Sequence, residues 1–286
     1  MEKIITEEHW DEVIEPSGKL FDLRLKEVWR YRDLLLLFVK RDFAAQYKQT
    51  VLGPIWHLIQ PVFTTIVFLF VFHSVAKIST DDIHPVLFYM SGIAIWNYFS
   101  SCLNATSNTF VANASIFGKV YFPRLIIPLS AVLSNIIKFG IQFSLLLAVM
   151  IWYGIKDGHF YFSITWLLIP VLVLMMAGMG LGLGIIISSL TTKYRDFTVL
   201  IGFMVQLLMY VTPVAYPLSF LKEKGYAWVV NYNSLTPIVE AFRYALFGKG
   251  TFEPMHLLYS GIFIICTLFF GMVIFNKVER SFMDTV

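Results

Sequence analysis

Six long apolar stretches, broken by short polar segments, set the rhythm of this chain: residues 55–76, 86–106, 126–153, 164–190, 198–217 and 255–275. Each has the length expected of a helix crossing a hydrocarbon layer about 30 Å thick at about 1.5 Å per residue. The sharpest break is 193–197, Lys-Tyr-Arg-Asp-Phe, which separates the fourth stretch from the fifth. Ahead of the first stretch, residues 25–47 have a different pattern. There Trp29, Leu36, Phe43 and Tyr47 fall on one helical side, with Arg30, Lys40, Arg41 and Lys48 available to lipid headgroups. This spacing predicts an amphipathic helix lying in the membrane interface. Residues 218–254 are too long for a plain turn, and their apolar groups at 228–230 and 238–247 predict short helices that dip back into the layer. The expected fold is an all-α integral membrane protein, with residues 1–54 as a cytoplasmic N-terminal segment and 55–286 as a six-span transmembrane domain.

Composition agrees, since 57% hydrophobic residues against 14% charged leave too little polar surface to coat a water-soluble globule. The mean hydropathy of +0.70 says the same. The opening fifteen residues are acidic and polar, unlike a cleaved secretory signal, so the N-terminus is expected to remain in the cytoplasm. Charge distribution then orients the spans. Lys119 and Arg124, Lys193 and Arg195, and Arg41, Lys48, Lys277 and Arg280 all fall on one predicted side, whereas Asp81, Asp82 and His84, or Lys156, Asp157 and His159, occupy the other. The Lys/Arg excess places both termini inside. Cys102 and Cys266 both lie in apolar stretches, which argues against a disulfide framework or a metal cluster.

Several spans carry polar stripes. Asn97, Ser101, Asn104 and Asn108 recur on one helical face, as do Ser134, Lys138 and Gln142 with Asn135 alongside. His57, Gln60 and Thr64 form a third stripe, and Gln206 with Tyr210 a fourth. Such faces turn toward a neighbouring helix, where they hydrogen-bond, or toward a hydrated path. Lys138 stands out as a cation near mid-span: it meets an anionic group in transit, snorkels, or pairs with a carbonyl. Gly178, Gly180, Gly182 and Gly184 lie inside an apolar helix rather than at a strand-to-helix turn, so they read as small-residue packing contacts and not as a dinucleotide fingerprint. Glu240 and Arg243 have the spacing of a helical ion pair. No Gly-x-x-x-x-Gly-Lys-Ser/Thr loop occurs, so ATP-driven work would need a second polypeptide. The scarcity of carboxylates within the spans counts against a membrane-embedded glycan-modifying enzyme and against proton coupling.

The order of motifs resembles the membrane permeases of ABC-2 type polysaccharide exporters, which export O-antigen, capsule and teichoic-acid chains. The likeness begins with 29–34 (Trp-Arg-Tyr-Arg-Asp-Leu), Lys40-Arg41-Asp42, 47–56 (Tyr-Lys-Gln-Thr-Val-Leu-Gly-Pro-Ile-Trp) and Pro61. It continues with 117–124 (Phe-Gly-Lys-Val-Tyr-Phe-Pro-Arg), 193–197, 212–217 (Thr-Pro-Val-Ala-Tyr-Pro) and the region 233–248 around Pro237, Glu240 and Arg243. The resemblance implies a homodimer in the bacterial cytoplasmic membrane, joined to two copies of a separate phosphate-loop ATPase that binds ATP and Mg, with no cofactor on this chain and no nucleic-acid partner. It implies that Arg41, Tyr47 and Lys48 belong to a gate helix facing lipid headgroups. It further implies that Asn113, Phe117, Lys119, Tyr121 and Arg124 form the coupling segment for the ATPase, and that short re-entrant external helices precede the last span. The cargo implied is a lipid-linked polysaccharide, passing polar residues such as Asn97, Ser101, Asn104, Lys138, Gln142, Gln206 and Tyr210. An ABC-2 exporter of a small molecule or drug is the alternative.

Overall fold

The computed structural model describes residues 25–48, 50–117, 119–120, 122–158, 163–194, 196–226, 228 and 232–282. Tyr121, Arg195 and His159 lie outside the described residues, as does the chain before residue 25. Among the described residues the secondary structure is helical, without a strand. A short helix α1 (Leu25–Arg30) leads into α2 (Arg32–Tyr47), and a 3-10 turn at Gly53–Ile55 opens α3 (Trp56–Phe68), whose continuation Leu69–Val75 widens to π geometry. Then come α4 (Pro85–Ser107), α5 (Thr109–Phe117), α6 (Ile126–Asp157), α7 (Leu168–Thr191), α8 (Phe197–Val211), α9 (Leu218–Glu223), α10 (Thr236–Phe247) and α11 (Pro254–Phe282).

Among the described residues, five segments are long and apolar enough to cross a membrane: Gly53–Val75, Pro85–Ser107, Ile126–Lys156, Ile164–Thr191 and Pro254–Val278. The predicted fifth stretch, 198–217, is shorter as a helix. Its 15 residues, Phe197–Val211, reach about 22 Å. The physical reason lies in the sequence that follows, because Pro213 disfavours helical geometry at Thr212, which is extended at φ −87° and ψ 139°.

Helix α4 sits at the centre, packed by α7, α6 and α3, and most of its length is buried. The α4–α7 and α7–α11 contacts depend on the glycines of α7. Gly180 and Gly184 face α4, where a Cβ on Gly184 would fall 1.6 Å from Thr106 Oγ1. Gly178 and Gly182 face α11, close to Ile264, Thr267 and Leu268. The two small-residue pairs thus seat two different helices of the same chain, and the Thr106 hydroxyl lies 3.1 Å from the Gly180 carbonyl across the α4–α7 contact. Where helices touch this closely, dispersion and weak polar contacts replace the hydrophobic drive that lipid cannot supply.

Helix α2 lies against α6. Of the predicted stripe, Trp29 and Leu36 are exposed, whereas Phe43 and Tyr47 are half-buried. A second apolar side, Tyr31, Leu34, Leu35 and buried Phe38, packs inward. The reading from sequence identified only the outer of these two sides.

Candidate functional site

The polar stripes of the first three spans converge. A cavity of about 270 Å³ is walled by Gln46 of α2, His57 and Gln60 of α3, Asn97, Tyr98, Ser100 and Ser101 of α4, and Asn135, Lys138, Phe139 and Gln142 of α6. The α4 and α6 stripes face each other across it, with Asn97 Nδ2 3.5 Å from Gln142 Oε1. Among the described residues, Lys138 is the one lysine or arginine in this wall, and no carboxylate lines it. Several polar atoms here are buried without a hydrogen-bond partner: His57 Nε2, Tyr98 Oη and Asn135 Oδ1. Buried polar groups in native proteins are nearly always satisfied, so the cavity is a place for water or a polar ligand. Asn104 lies outside this lining, exposed and bonded to Ser100 Oγ at 3.3 Å. Gln206 and Tyr210 are also elsewhere, on the exposed side of α8. Helical period put Asn97 with Ser101 and Lys138 with Gln142 on one lining, but Asn104, Asn108 and Ser134 of the same stripes fall outside it, and period carries no information on which stripes meet.

Sequence reasoning missed Gln46, Ser100, Tyr98 and Phe139. Ser100 lies three residues from Asn97 on the same helical face, a signal that was available. Gln46 adjoins Tyr47 and gave no sign of facing α6.

Around the cavity mouth, Tyr47 stacks edge-on against both Phe43 and His57, at ring separations of 4.6 and 5.6 Å. Burial pushes its phenol above the usual range, so it stays a neutral donor. Arg41 pairs with Asp42 at 2.7 Å and covers the Phe38 ring at 4.5 Å, whereas Lys48 is exposed. Phe38 in turn meets Phe122 at 5.6 Å, and the aromatic contacts continue through Phe117 and Phe110 to a stacked pair with Phe275 at 4.5 Å. The Arg124 guanidinium lies over the Phe117 ring at 5.3 Å. The gate and coupling segments named from sequence are therefore in direct contact, which their separation along the chain had hidden. Within α5, Asn113 breaks helical geometry at φ −118° and ψ 15° and donates to the Thr109 carbonyl at 3.0 Å, while Lys119 is exposed.

At the opposite end of the bundle, α10 tucks against α4 and α7, with Pro237 in its first turn. Arg243 is only 1% exposed. It binds Glu240 at 3.0 Å and donates to the carbonyls of Pro213 and Val214, both at 2.6 Å. The guanidinium stacks 3.7 Å from the Phe88 ring centre, above Gly92, where a Cβ would lie 2.6 Å from Nη2. What sequence spacing marked as a local ion pair is thus a clamp joining α10, α4 and the chain leaving α8.

The sequence profile of ABC-2 type transporters matches residues 33–247. The chain belongs to the ABC-2 type transporter family. It is a multi-pass membrane protein and the membrane subunit of a transporter. Among relatives of this ABC-2 chain, the O-antigen export system permease protein RfbA of Klebsiella pneumoniae is 29% identical over 255 residues, covering 88% of this chain and 94% of that protein. The like-named RfbA of Myxococcus xanthus is 23% identical over 265 residues, covering 92% and 98%. The polysialic acid transport protein KpsM of Escherichia coli is 22% identical over 250 residues, covering 86% and 93%. The match to the ABC-2 family takes in both the cavity and the Arg243 clamp.

Proposed function

We propose that this chain is the membrane subunit of an ATP-driven exporter that moves a lipid-linked polysaccharide across the bacterial cytoplasmic membrane. The observation that carries the reading is similarity running nearly end to end with permeases named for O-antigen export and polysialic acid transport. The geometry supports it with a polar, amide-rich cavity beside the α2 helix.

In this reading two copies of the chain assemble with two copies of a phosphate-loop ATPase, which supplies ATP hydrolysis with Mg. Both termini and the α5 segment face the cytoplasm. Asn113, Phe117, Lys119, Tyr121 and Arg124 receive the ATPase movement, while Arg41, Tyr47 and Lys48 meet the lipid headgroup of the cargo. ATP binding and hydrolysis alternate two arrangements with different contacts to the glycan, because a transporter moves cargo only through such differences. The permease forms and breaks no covalent bond.

The test is deletion of the gene in its host, followed by localisation of the lipid-linked glycan, with the intact chain restored as control. Accumulation on the cytoplasmic side with loss of surface polysaccharide is expected. Unchanged surface polysaccharide in a strain free of any redundant exporter overturns the reading in favour of a smaller cargo. The double variant Arg41→Gln/Lys48→Gln tests the headgroup role: export should fall at least tenfold while insertion and assembly remain intact.

A further inference from the structure

The cavity has a definite chemistry. Its wall offers an ammonium from Lys138 and carboxamides from four helices, namely Gln46 on α2, Gln60 on α3, Asn97 on α4 and Asn135 and Gln142 on α6, with two serines on α4. Every one of these groups donates hydrogen bonds, and none of the lining residues is an acid. Asp42 on α2 is the carboxylate whose field reaches Lys138. It is already held by Arg41 at 2.7 Å. Lys138 therefore faces the cavity without a dedicated counter-ion. Tyr98 and Asn135, each 2% exposed, line the same cavity beside the Cys102 thiol, a weak partner for both; the Tyr98 hydroxyl and the Asn135 Nδ2 can each donate to an anion, whereas Asn135 Oδ1 can only accept.

A lysine in such surroundings is costly unless an anion joins it. The shape of the donor set narrows the class. Donors approach from four helices rather than in one plane, which suits a tetrahedral group better than a planar carboxylate, and lysine serves phosphate well as a point charge. The volume of about 270 Å³ holds on the order of nine waters. That is room for one phosphate with an attached hexose-sized group, not for a polymer segment.

We propose that the cavity between α2, α3, α4 and α6 of a single subunit is a binding site for one phosphate ester, with Lys138 as its counter-charge and the facing carboxamides as its orienting donors. It rests on the exporter reading for the source of the ligand, a phosphate borne by the cargo lipid or its first sugar. The site lies within one subunit and is separate from the exposed Lys48. A headgroup would thus be held inside one subunit's wall before the glycan moves.

The experiment uses the full chain purified in a phosphate-free maltoside detergent, with two probes: radiolabelled glucose 1-phosphate and phosphatidic acid as its competitor or direct ligand. Glucose serves as the uncharged control. Saturable binding at one site per chain is expected, weakened at least tenfold in Lys138→Gln, retained in Lys138→Arg and unchanged in Lys156→Gln, an exposed cation 18 residues further along α6. Binding of glucose 1-phosphate supports the site and assigns it to a sugar phosphate. Binding of phosphatidic acid alone supports it and assigns it to a lipid headgroup. Absence of saturable binding to either probe, or binding indifferent to Lys138→Gln, overturns it. Gln142→Leu, which removes one lining carboxamide at nearly constant volume and charge, supplies a second variant should Lys138→Gln fold poorly, and it too must weaken binding. This readout needs no transport, so loss of the exporter reading in the deletion strain and loss of the phosphate site are separate outcomes.

Discussion

Removing the Arg243 side chain strands three groups at once: the Glu240 carboxylate and the carbonyls of Pro213 and Val214. Leaving one partner of a buried ion pair uncompensated costs about 3–5 kcal/mol. Arg243→Met should therefore destabilise the purified chain by that amount in thermal unfolding. The double variant Glu240→Leu/Arg243→Met should lose less than the sum of the two single changes, since the second removes the charge the first left unpaired. Gly92→Ala attacks the same clamp from below and should cost about 1–3 kcal/mol through overpacking against Nη2. At this scale the sequence was partly legible. The spacing of Glu240 and Arg243 revealed their pairing, and period placed Lys138, Asn97 and Gln142 on their proper helical faces. The carbonyls that Arg243 binds were invisible, because an acceptor on the backbone leaves no mark in residue identity. Gln206 and Tyr210 show the same limit from the other side: a polar stripe on α8 looks like one on α6 until the neighbours are known.

Between helices, glycine gives a clean comparison. Gly184→Ala in α7 drives a methyl into Thr106 and should lower stability by about 1–3 kcal/mol, whereas Gly202→Ala in α8 meets nothing within 4 Å. The second change should be neutral or stabilising by about 0.5–1 kcal/mol, because alanine is the better helix former. Thermal unfolding of the two variants in parallel checks both signs. The aromatic contact between Phe38 of α2 and Phe122 beyond α5 belongs to this scale as well. If it transmits movement from the coupling segment to the gate helix, Phe122→Leu should lower export several-fold while ATPase turnover of the complex persists. A parallel fall in both activities would mark the contact as packing alone. Apolar period made most helices legible, and Pro213 in principle announced the early end of α8. The two-sided character of α2 was not legible, since its inward side became recognisable only once α6 and Phe122 were seen beside it.

For the whole molecule, the excess of Lys and Arg on one side predicts an orientation. In a chain whose two native cysteines are replaced, Lys119→Cys should react with an impermeant thiol reagent only in inside-out vesicles, and Ser79→Cys only in right-side-out ones. The reverse pattern would invert the topology and move the gate helix to the outer face. The short α8 bears on the membrane itself. A helix of about 22 Å in a hydrocarbon layer of about 30 Å leaves a gap that lipid must close by thinning locally, at a fraction of a kcal/mol per ångström. Where α8 faces lipid, acyl chains beside it would be compressed at rest, and the bilayer there would be a dimpled sheet rather than a flat slab. Lengthening the acyl chains of the surrounding lipid deepens the dimple, so transport by the reconstituted complex should slow as the bilayer is made thicker and quicken as it is made thinner.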